Sequence, residues 1–189
     1  MKKIQRFLPF IILLSFVAVI SIAIIKSTSK QNLDENQLSN EFSAKLLRQK
    51  IKLPEFSLPD LFDENKNFST KDLINDKKRY SVINFFASWC VTCLAEHEAL
   101  MHLQSENIAD VYGVAWRDFG KNTIKFLDKN GNPFKKVALD AQGLFTRILG
   151  IKAVPETVIV DPAGNVILRY QGNLSHETVA EIKNFLSKR

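Results

Sequence analysis

The only two cysteines of the 189-residue chain, Cys90 and Cys93, are separated by two residues in the string Trp-Cys-Val-Thr-Cys. Thiols three positions apart fit within the first turn of a helix and are close enough to form a small disulfide. A helix N-terminus stabilises a thiolate through its unpaired backbone N–H groups and its dipole. We therefore predict that Cys90 is the activated thiolate that attacks disulfides, and that Cys93 resolves the resulting mixed disulfide.

Two other roles of a cysteine pair fit this sequence less well. A structural disulfide that closes so short a loop contributes little stability. A zinc site needs more ligands, and the sequence offers only His97 and His102 nearby. We assign neither histidine a role, and we predict no metal and no bound cofactor. Redox chemistry at the two thiols is the favoured interpretation.

Apolar residues lead directly into the cysteine motif. Residues 81–87, Ser-Val-Ile-Asn-Phe-Phe-Ala, indicate a buried strand, and residues 90–106 indicate a helix. A strand, a Trp-Cys-x-x-Cys motif and a helix in this order are typical of the thioredoxin arrangement. We therefore expect an α/β domain of thioredoxin-like fold, with a mixed central sheet flanked by helices. The other predicted elements are a strand at 110–116, a helix at 122–129 with Thr123 as its cap, a hairpin at 157–170 and a helix at 177–186.

Pro155 lies in the string Gly-Ile-Lys-Ala-Val-Pro-Glu-Thr, directly before a predicted strand. By itself such a residue indicates an ordinary trans peptide bond at the start of a strand. Downstream of a Trp-Cys-x-x-Cys motif, we expect instead a cis peptide bond, in a loop beside the two cysteines. That loop would leave the backbone of Val154 free to pair with an extended substrate segment.

Several other residues could support the thiols. Glu96 lies one helical turn after Cys93, where a partly buried carboxylate could accept the proton of the resolving thiol or raise its pKa. A solvated position on the helix surface explains the same spacing equally well. Trp89 is expected to pack over the site and shape access to it, with a place in the core as the alternative. Asn84 is either a buried hydrogen-bonding group beneath the motif or an edge residue, and residues 116–118 could line a groove.

The N-terminus carries a membrane signal. Residues 7–25 contain 19 positions without a charge, preceded by two lysines and an arginine. Nineteen helical residues span roughly 28 Å, close to the hydrocarbon thickness of a bilayer. The preceding basic residues place residues 1–6 in the cytoplasm and the rest of the chain outside it. We favour an uncleaved, single-pass anchor over a cleaved signal peptide, and both interpretations export the domain to an oxidising compartment.

Residues 26–50 are polar and lack Gly and Pro, so we predict a tether with helical tendency before a domain at 51–189.

The formal net charge of +6 does not indicate nucleic-acid binding. Five of the 26 Lys and Arg residues lie in the first 30 positions, which hold no Asp or Glu, and this leaves 21 basic against 20 acidic residues. The remainder of the chain is nearly neutral, so we predict no nucleic-acid partner.

Two segments together resemble one family. They are residues 84–97, Asn-Phe-Phe-Ala-Ser-Trp-Cys-Val-Thr-Cys-Leu-Ala-Glu-His, and residues 150–157, which contain Pro155. They resemble the membrane-anchored thioredoxin-like proteins of cytochrome c biogenesis, the thiol-disulfide interchange proteins of the CcmG/DsbE type. The cysteine motif alone marks the thioredoxin superfamily. The Glu-His pair that ends the first segment, the Pro-Glu-Thr string and an insertion-like segment between 110 and 149 narrow the resemblance to this family.

The resemblance implies roles for individual residues. Cys90 and Cys93 would be the nucleophile and the resolving thiol, and Pro155 would be the cis-proline. Glu96 matches the family's acidic residue that tunes the thiols, and Glu156 would contribute to an acidic groove.

Two positions depart from what relatives carry. Asn84 stands where plain thioredoxins have a buried Asp, so the proton-handling group is expected at Glu96 instead. Many relatives have Pro directly after the first cysteine, where this chain has Val91. Because the dipeptide between the thiols tunes the reduction potential, the resemblance does not fix that potential.

The function implied is that of a membrane-tethered reductant that faces the periplasm from the inner membrane. Apocytochrome c must present both thiols of its Cys-x-x-Cys-His motif before haem is attached. The protein would reopen a disulfide of apocytochrome c or of a haem-attachment maturation protein, and a membrane thiol-reducing protein would regenerate it as electron donor. The alternatives are a general extracytoplasmic oxidoreductase or oxidase of the same fold, and a non-enzymatic tethered binding module. A peroxidase fits less well, because residues 83–89 contain no Pro.

Overall fold

The structure, a computed structural model, describes residues 20–22, 46–47, 51–74 and 79–188. The chain divides into two units, Met1–Ala44 and Lys45–Arg189. In the first unit the three described residues are helical and exposed, and the rest of the predicted anchor at 7–25 lies outside the described residues. Within the described ranges, none of the helices has the length and apolar character needed to cross a membrane.

The second unit alternates strands and helices, as the apolar pattern predicts. Its strands are β1 (Leu46–Leu47), β2 (Ile51–Lys52), β3 (Ser57–Pro59), β4 (Asn67–Ser69), β5 (Ser81–Phe86), β6 (Asp110–Trp116), β7 (Val137–Asp140), β8 (Glu156–Val160) and β9 (Asn165–Gln171). Its helices are α1 (Thr70–Leu73), α2 (Val91–Ser105), α3 (Gly120–Asn130), α4 (Leu144–Ile148) and α5 (His176–Ser187).

Seven strands, counted over the described residues, form one sheet in the order β1-β9-β8-β5-β6-β7, with β2 also paired to β9. Strand β5 runs parallel to β6, and β6 runs parallel to β7. The β5–β8 and β8–β9 pairs are antiparallel, which confirms the predicted mixed sheet. All six residues of β5 are buried. A strand covered on both faces needs a continuous apolar run, which explains its sequence.

The two faces of β5 serve different purposes, because successive side chains of a strand point to opposite faces. Ile83 and Phe85 belong to a buried apolar core, in which the rings of Phe56 and Phe145 stack at 4.2 Å. Asn84 points to the other face, where its side chain bonds to a residue of α2. The apolar face therefore fixes the sheet, and the opposite face positions the helix that carries the cysteines.

Two local predictions are wrong. Residues 46–47, predicted as part of a helical tether, form β1 and pair antiparallel with β9, whose edge offers them backbone hydrogen bonds. The rest of the predicted tether lies outside the described residues. Thr123 does not cap a helix, because α3 already begins at Gly120. The Thr123 hydroxyl instead donates to the carboxylate of Asp118 at 3.0 Å.

Candidate active site

Cys90 and Cys93 form a disulfide at the N-terminus of α2. Cys90 is the N-cap residue, and its Sγ accepts a hydrogen bond from the backbone N–H of Cys93 at 3.1 Å. The sulfur thus takes the place that a Ser or Asp oxygen commonly has at a helix start, at the positive end of the helix dipole. The prediction that Cys90 begins the helix, with Cys93 one turn inside it, is confirmed.

The two sulfur-bearing residues are recessed beneath exposed apolar neighbours. Cys90 is 6% exposed and Cys93 is 2% exposed, whereas Trp89 is 56% exposed. Trp89 is therefore not a core residue. Its ring lies 6.1 Å from the ring of Trp116, and its Nε1 donates to the carbonyl oxygen of Arg117 at 3.3 Å. Of the two cysteines, Cys90 is thus slightly the more exposed.

The loop before β8 lies against the cysteines. The peptide bond between Val154 and Pro155 is cis, as predicted. The Val154 carbonyl oxygen is 3.7 Å from Sγ of Cys90, although 64 positions separate the two residues in sequence. The Pro155 carbonyl oxygen accepts a hydrogen bond from the Gly172 N–H at 3.0 Å, which fastens the loop to the segment after β9. The predicted contact between this loop and the cysteines is confirmed, and pairing with a substrate backbone stays a prediction.

Glu96 is fully buried, so the solvated interpretation is wrong. Its Oε1 accepts a hydrogen bond from Asn84 Nδ2 at 2.8 Å, and its Oε2 accepts one from the Leu174 N–H at 2.8 Å. Burial raises the pKa of this carboxyl from 4.5 to about 7, against the opposing effect of the two hydrogen bonds. A carboxyl one helical turn from Cys93 that titrates near neutral pH is suited to exchange a proton there.

Asn84 is a buried hydrogen-bonding group and not an edge residue. Besides its bond to Glu96, Nδ2 donates to Oγ1 of Thr157 at 3.1 Å, on the neighbouring strand. Its Oδ1 has no hydrogen-bond partner among the described residues. This orientation of the amide, with Nδ2 towards Glu96, suits the ionised carboxylate, and a rotated amide would offer Oδ1 as acceptor to the protonated acid.

Glu156 is among the residues that line the depression beside Pro155, and the acidic groove that the family resemblance implies stays a prediction. Its side chain is buried, and its carboxylate pairs with the guanidinium of Arg169, with 2.7 Å between Nε and Oε1. Burial raises the pKa of Glu156, and the ion pair with Arg169 acts against this shift. Arg169 also donates to the carbonyl oxygen of Leu149 at 2.9 Å. The pair thus joins β8 and β9 to the segment that precedes the Pro155 loop.

Sequence reasoning missed the support that Asp118 gives to the cysteine motif. This buried carboxylate accepts hydrogen bonds from the Ser88 N–H at 2.6 Å and from the Ser88 hydroxyl at 2.9 Å. It also accepts bonds from the Phe119 N–H at 2.8 Å and from Thr123. Residues 116–118 are predicted to line a groove, and Asp118 is buried beneath the surface instead. An Asp between a buried strand and a helix is a capping signal that could have indicated this role.

His97 has a structural environment. It is buried, and its Nε2 lies 2.9 Å from the carbonyl oxygen of Gly131, at the end of α3. Over the residues that the structure describes, His, Cys, Asp and Glu side chains form no group of three that could hold a metal ion.

A thioredoxin-like fold with a Cys-x-x-Cys pair at the start of a helix, beside a cis-proline loop, defines a thiol-disulfide oxidoreductase. Comparison with known families agrees, because residues 49–186 match the Redoxin family model. The chain belongs to the Redoxin family and is a thioredoxin-like protein of the DsbE type.

Individual relatives support this assignment. The chain is 30% identical over 181 residues to the thiol:disulfide interchange protein HelX of Rhodobacter capsulatus, covering 96% of this chain and 94% of HelX. It is 35% identical over 125 residues to the thiol:disulfide interchange protein DsbE of Haemophilus influenzae, covering 66% of this chain and 67% of that protein. A secreted thiol-disulfide isomerase from Corynebacterium glutamicum matches the fold with a TM-score of 0.64 at 17% identity, over 77% of this chain and 93% of that one. The predicted family and oxidoreductase activity are thus confirmed.

Proposed function

We propose that this oxidoreductase is a periplasmic reductant, tethered to the inner membrane, that reduces disulfides of apocytochrome c or of its maturation partners during cytochrome c assembly. The observation that carries the proposal is the pairing of a recessed disulfide at a helix N-terminus with a buried acid, Glu96, one turn further along the helix. The family resemblance of residues 84–97 and 150–157 supports the substrate class. The similarity to HelX and DsbE supports the interchange chemistry.

The reaction begins with the reduced protein. The Cys90 thiolate, stabilised by the N-terminus of α2, attacks one sulfur of the substrate disulfide. A bond forms between Cys90 and that sulfur, the substrate S–S bond breaks, and the departing thiolate takes up a proton. Cys93 then gives its proton to the Glu96 carboxylate and attacks Cys90, which releases the second substrate thiolate. The protein is oxidised by two electrons, the substrate is reduced by two, and the Cys90–Cys93 disulfide of the structure is the product.

Regeneration needs a second dithiol. A membrane thiol-reducing protein reduces the Cys90–Cys93 disulfide and is itself oxidised to a disulfide in the exchange. The proposed chain organisation suits this partner. Residues 1–6 lie in the cytoplasm, residues 7–25 anchor the chain in the membrane, and a tether within residues 26–50 leads to the domain. Trp89, Val154 and Pro155 form the surface against which the substrate disulfide is held.

The reduction potential tests the direction of the reaction. We would equilibrate the protein with glutathione buffers and follow the state of the Cys90–Cys93 pair by thiol alkylation. A potential well below about −200 mV supports a dedicated reductant. A potential near about −120 mV contradicts the proposal and favours a disulfide-forming oxidase.

A second measurement tests the substrate class. We expect the reduced protein to open the disulfide of an apocytochrome c peptide with a Cys-x-x-Cys-His sequence. The Cys93→Ser variant should trap the mixed disulfide with this peptide, and the Cys90→Ser variant should not. If cytochrome c assembly survives Cys90→Ser in cells, the protein acts there as a binding module and the proposal fails.

A further inference from the structure

A groove of about 400 Å³ opens beside Cys90, between the first turns of α2 and one face of α3. We refer to it as the α2–α3 groove, lined by Cys90 with Trp89, Val91, Leu94, Lys125 and Lys129 among its other residues. It shares no lining residue with the depression beside Pro155, which is formed by Thr92 and the loop around Val154. The nucleophilic sulfur therefore has a second binding surface next to it.

The walls of the α2–α3 groove on α2 are apolar. Trp89, Val91 and Leu94 are all at least half exposed, although each is a large hydrophobic residue. On the α3 side, Phe126 is buried and lines the same groove. Single exposed apolar residues are common on protein surfaces, but a group of them around a reactive sulfur marks a surface that binds another chain.

The rim of the groove on α3 is basic. Lys125 and Lys129 lie four positions apart and therefore on one face of the helix, and both are exposed. Neither forms an ion pair within the part of the chain that the structure describes. No Asp or Glu of the described residues lines the groove, and the exposed Asp128 of the same helix does not reach it. Two like charges at this spacing repel each other until an anion lies between or beside them.

We propose that the α2–α3 groove holds the segment of a substrate polypeptide next to its target cysteine, and that it selects a segment with an apolar residue beside one or two acidic residues. The apolar side chain packs on Leu94 and Phe126, and the carboxylates lie beside Lys125 and Lys129. The proposal rests on disulfide exchange at Cys90, and it does not depend on which protein is the natural substrate.

The test uses the full-length protein, purified in detergent and reduced before use. Two synthetic peptides carry the same intramolecular disulfide and the same flanking Leu, and the next two residues are Glu-Glu in one peptide and Lys-Lys in the other. Stopped-flow fluorescence of the tryptophans gives the second-order rate constant for reduction of each peptide. Each rate constant is divided by that of the same peptide with dithiothreitol, which removes differences in intrinsic disulfide reactivity.

The expected result is a preference of roughly three- to tenfold for the Glu-Glu peptide at low ionic strength, because partly exposed ion pairs contribute modestly and are screened by salt. The double variant Lys125→Glu/Lys129→Glu should reverse the preference, and Lys125→Gln/Lys129→Gln should abolish it. Lys121→Glu is the control for charge reversal on α3, since it reverses one lysine charge outside the groove, whereas the groove variant reverses two. This control should retain the preference within about twofold.

Three results would overturn the proposal. They are equal rate constants for the two peptides in the unmodified protein, an unchanged preference in both double variants, and an equal loss of preference in Lys121→Glu. Every protein is also assayed with 2-hydroxyethyl disulfide, a small neutral disulfide. Failure of that reaction would contradict exchange at Cys90 itself, whereas failure of the peptide preference alone would contradict only the groove.

Discussion

Replacement of the buried Glu96 with Gln should change how the stability of the protein depends on pH. Burial raises the pKa of Glu96 from 4.5 to about 7 in the folded protein. Below pH 4.5 the carboxyl is protonated in both the folded and the unfolded chain. Between pH 4.5 and about pH 7 the unfolded chain releases the proton and the folded protein keeps it. The free energy of unfolding therefore falls as pH rises through this range.

The size of this effect follows from the two pKa values. A tenfold change in proton affinity corresponds to about 1.4 kcal/mol, so the difference between 4.5 and about 7 corresponds to about 3 kcal/mol. Gln has a similar shape and does not titrate. The unmodified protein should therefore lose about 3 kcal/mol in free energy of unfolding from pH 4 to pH 8 that Glu96→Gln does not lose. The difference in free energy of unfolding between the two proteins should shift by that amount in favour of Glu96→Gln.

The assay is urea unfolding of both oxidised proteins at pH 4, 6 and 8, followed by circular dichroism. The oxidised state is used so that the thiols do not titrate. Glu98→Gln is the matched control, because it removes a carboxyl from an exposed position of the same helix. Parallel loss of stability in the unmodified protein and in Glu96→Gln across this pH range would refute the reasoning.

Two further substitutions test the polar groups around the site. Arg169→Leu leaves the Glu156 carboxylate buried without its cation, and we expect a loss of about 3 to 5 kcal/mol in the free energy of unfolding, measured by urea denaturation. Partial recovery by Glu156→Gln in the same chain is the control, and a loss below about 1 kcal/mol would contradict the buried pair. Asp118→Ala removes the acceptor of the Ser88 N–H and hydroxyl, so it should cost about 1 to 3 kcal/mol and slow exchange at Cys90 with a small disulfide. Substitution of the exposed Asp128 with Ala should change neither the stability nor the exchange rate. An equal effect of the two substitutions would argue against the role of the Asp118 hydrogen bonds in holding Ser88.

Features encoded in short stretches of sequence could be predicted. Cys90 and Cys93 fix the start of α2 because their spacing matches one helical turn, and the continuous apolar run before them fixes a central strand. These two signals depend on neighbours within a few positions, where sequence spacing and spatial distance are closely related. The cis bond at Pro155 could be expected only together with the cysteine motif upstream, because its place before a strand alone indicates a trans bond.

The surroundings of the acidic residues could not be predicted in the same way. Glu96 is bonded to a backbone N–H at Leu174, 78 positions away, and no spacing rule covers such a distance. Glu156 is acidic in the sequence, but its charge is balanced by Arg169 on the adjacent strand. Strand order and register decide these partners, and a single sequence contains neither.

The cysteines of the disulfide are only three positions apart, and this has a consequence for the newly made chain. The loss of chain entropy on closing so small a loop is small, so the disulfide can also form before the rest of the chain folds. A chain synthesised only as far as α2 already contains both cysteines. Val154, which lies beside Cys90 in the folded protein, is synthesised 64 residues after it. Oxidation of the pair can therefore precede assembly of the site. The presence of the disulfide therefore shows that the thiols have been oxidised, and it does not show that the surrounding domain has folded.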